Sequence, residues 1–478
     1  MKKTNSTGFI FCFFLVVLSF NASAQEYKYD ISKYFTPDIV RNSLDFSFDT
    51  NNNFSNYKMT TDTTRSLYST QMNGTITPNF VSYTNTRKRV SILQINGQFN
   101  GNYYESGLVN RSNSNKQFQS NDNFGVTYSS HLYNSKNQFL SLGVASNFQA
   151  LVNNSTSTVN SFIEKQTYNN YLLTIAPTVG VGIGRIESVE DARQAIYILD
   201  DLSKKGVLTR PLSDEEIFQF AQQISRVKNK RFLDARLHLI DEITTVDSIL
   251  ASNNLLNKSD ARYFTSLYDN WQYGSLFSRK SGQSFEITFT PSYNWNYIKY
   301  NPIDATNNGW VNQNNLTGGL SLIYTYEKPV NLNWQHSVLA SLNGSTNFNS
   351  SLNQYGDPYS YYGSNSNSTL NGFDYKSVNL NGRYTLGFYP STRTYLNASL
   401  IQTLLLSYNK EVNNTSGSWA KSFYANTILN FSAYYYLSQQ LRLSLRASLG
   451  EYYTSDVSIN KNNQINVSFG GTISYSFF

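Results

Sequence analysis

From Ser284 the chain alternates through thirteen residues: Phe285, Ile287, Phe289, Pro291, Tyr293, Trp295 and Tyr297 share one parity, and Glu286, Thr288, Thr290, Ser292, Asn294 and Asn296 the other. A period of two predicts a β-strand with one apolar and one polar face. The C-terminus repeats it, with Ile465, Val467, Phe469, Ile473, Tyr475 and Phe477 against Asn466, Ser468, Thr472, Ser474 and Ser476. So does the stretch in which Leu441, Leu443, Leu445, Ala447 and Leu449 oppose Arg442, Ser444, Arg446 and Ser448. Strands of a soluble sandwich run about 5 to 6 residues, whereas a strand that crosses a bilayer needs about 9 to 11. These have the longer length.

The same template fits fourteen segments, the first at 42–50, the sixth at 169–185, the seventh at 284–299 and the last at 464–477. Alternate connections are long and polar, at 51–71, 105–121, 153–168, 300–313, 345–376, 409–421 and 454–463. The others are short, such as Asn134 to Asn137 and Pro390 to Arg393. An even strand count with alternating connection lengths predicts an all-β transmembrane β-barrel of about 14 antiparallel strands, with short periplasmic turns and longer external loops. Aromatic placement suits two interfacial girdles: Tyr103, Tyr104, Tyr293, Trp295, Tyr297, Tyr452 and Tyr453 toward one end, Trp334, Tyr389, Tyr395, Tyr435 and Tyr475 toward the other.

One segment departs from this pattern. Residues 186–272 carry 14 acidic and 11 basic residues, over a third of the chain's charge. The period changes to 3.6 in Val189, Ala192, Ile196, Leu199 and Leu202, in Ile217, Phe220, Ala221, Ile224 and Val227, and in Phe232, Ala235, Leu239, Ile243, Val246 and Leu250. Ser213-Asp214-Glu215-Glu216 fits a capping box, Ser188 precedes Glu190 and Asp191, and Ser259 with Asp260 opens a last short helix. The reading is one α-helical insertion of three to four helices at 186–280, between strands 1–6 (42–185) and strands 7–14 (281–478). It follows an even-numbered strand and so takes the place of a periplasmic turn. Residues 25–41 form an N-terminal periplasmic extension.

Composition narrows the class. Aromatics make up 15% and charged residues 14%, against roughly 25% charged in an average domain; mean hydropathy is -0.43. So many aromatics exclude disorder, and the mature chain has no apolar run of about 20 residues for a helical transporter. Lys2 and Lys3, the apolar Phe9–Phe20 and the Ala22-Ser23-Ala24 site mark residues 1–24 as a cleaved secretory signal. Cys12, the only cysteine, lies inside it, which leaves the mature chain without disulfide or thiolate chemistry. Three histidines (His131, His238, His336) do not make a metal cluster. Ser130-His131 and His336-Ser337 face opposite sides of their strands, and no phosphate-binding loop, G-x-S-x-G, H-E-x-x-H or calcium-loop motif occurs. No catalytic, metal or cofactor site, no enzyme activity and no nucleic-acid partner are expected.

The signal peptide, the alternating strands and the ending Ile473-Ser474-Tyr475-Ser476-Phe477-Phe478 resemble the outer-membrane β-barrel proteins of Gram-negative bacteria, porin-like in the broad sense. The resemblance implies residence in the outer membrane, contact with the lipid bilayer and lipopolysaccharide, and recognition of the last strand by the barrel-assembly machinery through Tyr475, Phe477 and Phe478. The alternation ends at Phe477, with Phe478 one residue beyond, so either Phe can hold the signal position.

Inward parity collects Arg383, Arg442, Arg446, Glu286, Glu327, Asp45 and His131 among Asn, Gln, Ser, Thr and Gly, including the row Gly180, Gly182 and Gly184. Net charge is +7 overall, the insert is acidic on balance, and the basic excess therefore belongs to the barrel. Charges along a lumen set ion selectivity. They point to a channel for diffusion or uptake of small polar solutes, anionic or neutral, gated or plugged by the insert. Two alternatives stand beside it: the arginines pair with the inward carboxylates, and the protein is a non-transporting scaffold whose segment 186–272 docks a periplasmic partner. The glycine row also leaves room for something packed inside.

Overall fold

The structure, a computed structural model, describes residues 30–475 apart from 61–63, 109–112, 230–238, 258–259, 275, 302–307, 356–372, 412–419, 439 and 457–460. The signal segment, His238, Phe232, Ala235, Ser259, Phe477 and Phe478 lie outside the described residues.

Fourteen strands form one sheet: β1 (Ile39–Thr60), β2 (Thr64–Asn85), β3 (Arg89–Leu108), β4 (Ser114–Tyr133), β5 (Gln138–Val159), β6 (Phe162–Ser188), β7 (Lys280–Asn301), β8 (Gly309–Pro329), β9 (Trp334–Tyr355), β10 (Phe373–Phe388), β11 (Thr394–Glu411), β12 (Ala420–Tyr436), β13 (Leu441–Asp456) and β14 (Lys461–Tyr475). Each pairs antiparallel with its neighbours in sequence. Strand number, sense and order, and the insertion after the sixth strand, are those the sequence predicted. This is the up-and-down organisation of outer-membrane β-barrels. Among the described residues β1 pairs with β2 alone and β14 with β13 alone, so these two strands are the sheet's edges and no ladder joins them.

Strand lengths differ from expectation. The segment 51–71, read as a long loop, is the continuation of β1 and β2, whose ladder runs out to Thr60↔Thr64. Residues 105–121 and 153–168 likewise hold strand, as far as Leu108 and from Ser114, and as far as Val159 and from Phe162. Both faces are mostly polar there, with Phe54, Phe118, Phe162 and Ile163 among the scattered exceptions, so the alternation is lost while the backbone hydrogen bonds, which need no particular side chain, carry on.

The two faces differ in cover as well as in polarity. On β7, Phe289 is 43% exposed while its neighbour Thr288, on the polar face, is 7% exposed. The polar face is therefore the inner one. Its curvature follows from contacts between strands remote in order. Phe277, three residues before β7, packs on Tyr436 at the end of β12, ring centres 5.8 Å apart. Strands spaced about 4.8 Å apart in a flat sheet would place β7 and β12 roughly 24 Å from each other.

The insert has four helices: α1 (Glu190–Lys204), α2 (Asp214–Asn229), α3 (Leu239–Ser252) and α4 (Ala261–Tyr273). Its core is built from the predicted 3.6-period residues, Ala192, Ile196, Leu199, Leu202, Ile217, Phe220, Ala221, Ile224, Val246 and Leu250, joined by Tyr263, Leu267 and Trp271 of α4. The capping box at α2 forms in both directions: Ser213 N donates to Glu216 Oε2 at 2.9 Å, and Glu216 N donates to Ser213 Oγ at 3.3 Å. Asp260 caps α4, accepting from the amides of Arg262 and Tyr263. Ser188 does not cap α1. It is the last residue of β6, its carbonyl accepts from Thr36 Oγ1 at 3.2 Å, and Val189 occupies the N-cap with no side-chain bond. Just past the end of α1, Gly206 takes a φ of +67°, which glycine adopts without strain, and Val207 N donates to Leu202 O.

The N-terminal stretch belongs to this helical unit. Asp30 opens one turn of 3-10 helix, Ile31–Lys33, which lies against β8. Ile31 and Tyr34 are buried in the same core as α1 and α2. From Lys33 to Ile39 an extended chain spans about 20 Å, whereas β1 and β8 in a flat sheet would stand roughly 34 Å apart. The sheet curls enough for the segment leading into β1 to reach β8.

Candidate functional site: the polar inner face and the helical unit at its end

The helical unit sits at the end of the sheet that carries the short turns, bonded to several of them. Arg279, with no exposed surface, donates to the carbonyls of Asn331 (2.8 Å), Leu332 (2.5 Å) and Trp334 (2.9 Å) and to Gln335 Oε1 (3.0 Å), which ties the end of the insert to the β8–β9 turn. Arg393, in the β10–β11 turn, is paired with Asp269 of α4 and lies over the Tyr273 ring at 4.1 Å. Arg87, in the β2–β3 turn, bonds Glu187 Oε1 at the end of β6 at 3.0 Å, and it reaches the N-terminal segment by donating its amide to Asp38 Oδ1 at 3.2 Å and covering the Phe35 ring at 4.1 Å. Leu332 packs against the helical core itself. The insert and residues 30–38 thus touch turns eight strands apart.

Within this joint Tyr389 is flanked by two buried guanidiniums, Arg279 at 4.9 Å and Arg193 at 5.1 Å from its ring centre. Burial pulls both arginines down from their ordinary value, Arg279 to about 10, with the neighbouring positive charge of Arg193 adding to the effect. The Tyr389 hydroxyl is pushed up, by burial first and by Tyr395 second. Arg193 donates to Gly274 O at 3.2 Å, while its Nε and Nη1 have no hydrogen-bond partner. Neither arginine was picked out from the sequence. Arg193 lies on the apolar side of α1 beside Ala192, and Arg279 directly precedes a strand, so the only signal was a charge at a position where the pattern wants none.

The seven residues named for inward parity lie on the polar face, the three arginines apart from His131 and the carboxylates. His131 and Glu286 meet at 3.6 Å. His131 also stacks on Phe139 with ring centres 4.4 Å apart. Phe139 fills the space over Gly182, the middle of the glycine row: a Cβ there would stand 2.2 Å from its Cζ. Glu327 accepts from Gln335 Nε2 (2.8 Å) and Ser337 Oγ (2.5 Å). The carboxylates are therefore engaged without the arginines, and Asp45, on β1, is exposed.

Arg383 and Arg446 line a recess of about 910 Å³ formed by β10 to β14, with Tyr395, Asn397, Asn430 and Tyr434 among its walls. Arg442 stands one inward position from Ser444, toward the short-turn end. The Tyr434 ring gathers two of the three arginines: the guanidinium carbons of Arg442 and Arg446 each lie 6.0 Å from its centre. Arg446 Nη2 donates to Tyr434 Oη at 3.4 Å. Behind Tyr434 the rings continue through Tyr395 (5.9 Å) and Phe277 (5.2 Å) into the helical joint. Tyr389 and Tyr395, expected in an outer girdle, thus face inward, because the aromatic tail of the insert covers them. Trp334, Tyr435 and Tyr475 are exposed, as a girdle requires. His336 faces outward with Tyr384, Nδ1 to Oη 2.7 Å.

No helix of the described residues is long and apolar enough to cross a membrane, and they hold no group of three metal-ligating side chains. No family model matches the chain, and no curated protein sequence matches it. Among solved structures it is similar to the transport unit of the autotransporter AIDA-I from Escherichia coli (9% identity, 95% of each chain, TM-score 0.26). It is also similar to the translocator domain of the autotransporter NalP from Neisseria meningitidis (7% identity, 78% of this chain and 82% of that one, TM-score 0.27). A third is OccK5 (OpdH) of Pseudomonas aeruginosa, at 9% identity over 93% of this chain and all of that one, TM-score 0.23. At such scores the function has to be read from this chain's own residues.

Proposed function

We propose that the protein is an outer-membrane channel for small polar solutes whose path follows the polar inner face and is narrowed by the helical unit at the short-turn end, the periplasmic side. The observation that carries this reading is the attachment of one helical unit, with the N-terminal segment buried in its core, to turns on opposite sides of a curled, polar-faced sheet, through Arg87–Asp38, Arg279 with the β8–β9 turn, and Arg393–Asp269. A unit fixed at so many points restricts passage unless it shifts or leaves a gap beside it. Apolar side chains on the outer face suit lipid, and the export signal, the last strand's assembly signal and lipopolysaccharide contact belong to the same proposal.

Ser188 and Lys280 are paired neighbours across β6 and β7, so residues 189–279 can be replaced by a short hairpin turn. Single-channel recording in planar bilayers tests the reading: the full chain should conduct, and the deletion should conduct severalfold more. Equal conductance would remove the narrowing role, and silence of both would remove the channel.

A second reading, docking of a periplasmic protein, is favoured by Phe264 and Tyr268, one turn apart on α4 and 47% and 46% exposed. Photocrosslinking from position 264 in intact cells should then give a discrete adduct.

A further inference from the structure

We infer that the recess between β10 and β14 is a binding site for a small hydroxylated anion, such as a sugar acid or sugar phosphate, held by Arg383 and Arg446 of its lining, with Arg442 beside it. As a solute site it rests on the channel reading, yet it is defined by its own residues.

Two guanidiniums, those of Arg383 and Arg446, line this concavity, and a third, Arg442, stands beside it against the ring of Tyr434. None has an ion pair among the described residues; of the inner carboxylates, Glu286 is engaged by His131 and Glu327 by Gln335 and Ser337, and Asp45 stands exposed on β1. No Asp or Glu lines the recess. Arg442 and Arg446, both 6.0 Å from one ring centre and, among the described residues, without a carboxylate paired to either, repel one another, and an oxyanion removes that cost while accepting two parallel N–H bonds from a guanidinium fork. Arg442 has such capacity to spare, its buried Nε having no partner. Tyr434 fixes where the charge stands: both Arg442 and Arg446 lie against its ring, and Tyr395 backs it at 5.9 Å with the planes 12° apart.

The rest of the wall bears on what body the anion carries. Thr385, Asn397, Ser399, Asn430, Ser432 and Ser448 present hydroxyls and amides, interspersed with Ile401, Phe431, Ala447 and Phe469. Such groups both donate and accept, as ligand hydroxyls do, whereas an alkyl or aryl acid would leave them unpaired at a cost. The volume, about 910 Å³, admits a monosaccharide with water.

Calorimetric titration of the full chain in detergent micelles tests this, with glucuronate, glucose 6-phosphate and glucose as probes. Glucuronate, glucose 6-phosphate or both should bind at least tenfold more tightly than glucose, and more weakly as salt rises. Which of the two binds tells carboxylate from phosphate. R442Q/R446Q should lose at least tenfold in anion affinity, with heat-shifted gel migration showing an intact sheet. Should that double variant fail to fold, R446Q alone, at an exposed side chain, should lose severalfold. Glucose binding as tightly as both anions, or anion affinity unchanged in a folded variant, overturns the site. Because binding is read without current flow, a chain that binds glucuronate but never conducts overturns the channel and leaves the site standing.

Discussion

The guanidinium carbon of Arg279 lies 4.9 Å from the centre of the Tyr389 ring, and both side chains are buried where the helical unit meets the sheet. Arg279 also satisfies three backbone carbonyls of the β8–β9 turn. Removing it leaves the carbonyls of Asn331 and Leu332 without a donor, while that of Trp334 keeps the Val330 amide at 2.9 Å. Each unpaired acceptor costs roughly 1–3 kcal/mol when no water replaces the donor. R279Q should therefore weaken docking of the helical unit by about 3 kcal/mol, and R279K by somewhat less, since an ammonium cannot reproduce the fork. Trypsin cleavage at Lys204 and Lys205 in the otherwise folded protein should speed up by about a hundredfold in R279Q. An unchanged rate would show that the turn holds the unit without this residue.

Tyr34 places the N-terminal segment inside the helical core. Its hydroxyl lies 3.1 Å from Ser225 Oγ, Ser225 donates on to Asp191, and Lys228 Nζ reaches the other Asp191 oxygen at 2.6 Å. Y34A should destabilise the unit by about 3–5 kcal/mol, the range for losing a buried aromatic. Y34F should cost only about 1 kcal/mol, because Ser225 and Asp191 keep each other. Helix ellipticity followed on heating separates the two variants.

Strand number, order and the site of the insert were legible in the sequence because they rest on local periodicity: Phe285 to Tyr297 keeps period two, and Val189 to Leu202 keeps 3.6. The inner-face placement of Arg383, Arg442, Arg446, Glu286, Glu327 and His131 follows from the same parity. What parity does not carry is company. That Phe139 fills the space over Gly182, that Tyr434 gathers two arginines, and that Arg193 and Arg279 flank Tyr389 are contacts between segments far apart in the chain. Polar strand ends such as Asn51 to Asn56 were misread for a related reason, since a ladder of backbone bonds leaves no mark on side-chain pattern.

The glycine row sets a third test. A Cβ at Gly182 would meet Phe139 Cζ at 2.2 Å and the backbone oxygen of Phe285 at 2.6 Å. The ring can move and the backbone cannot, so G182A should cost about 1–3 kcal/mol, and F139A should rescue only part of it. Unfolding of the sheet in urea, followed by heat-shifted gel migration, reports the difference. Full rescue by F139A would mean that the ring alone demands the glycine.

Two carboxyls of the helical unit titrate in opposite senses. The Arg210 guanidinium beside Glu216, with the Ser213 amide, holds its carboxyl at about 2, well below the ordinary 4.5. Its folded form therefore binds its proton more weakly than the unfolded chain does, so the stabilisation is present above about pH 4.5 and is lost as pH falls toward 2. Glu190 is the reverse: burial first, and the neighbouring Asp191 second, raise its carboxyl. Its contribution is full below the ordinary carboxyl value and is lost as pH rises through the raised one, so at pH 7 the ionised group works against the fold. E216Q should lower the melting temperature of the helical signal at pH 7 and lose its effect in strong acid. E190Q should raise that temperature at pH 7 and do little near pH 4. Melting curves of the full chain at both pH values check the pair, and parallel shifts of the two variants at every pH would show that neither carboxyl is coupled to folding in this way.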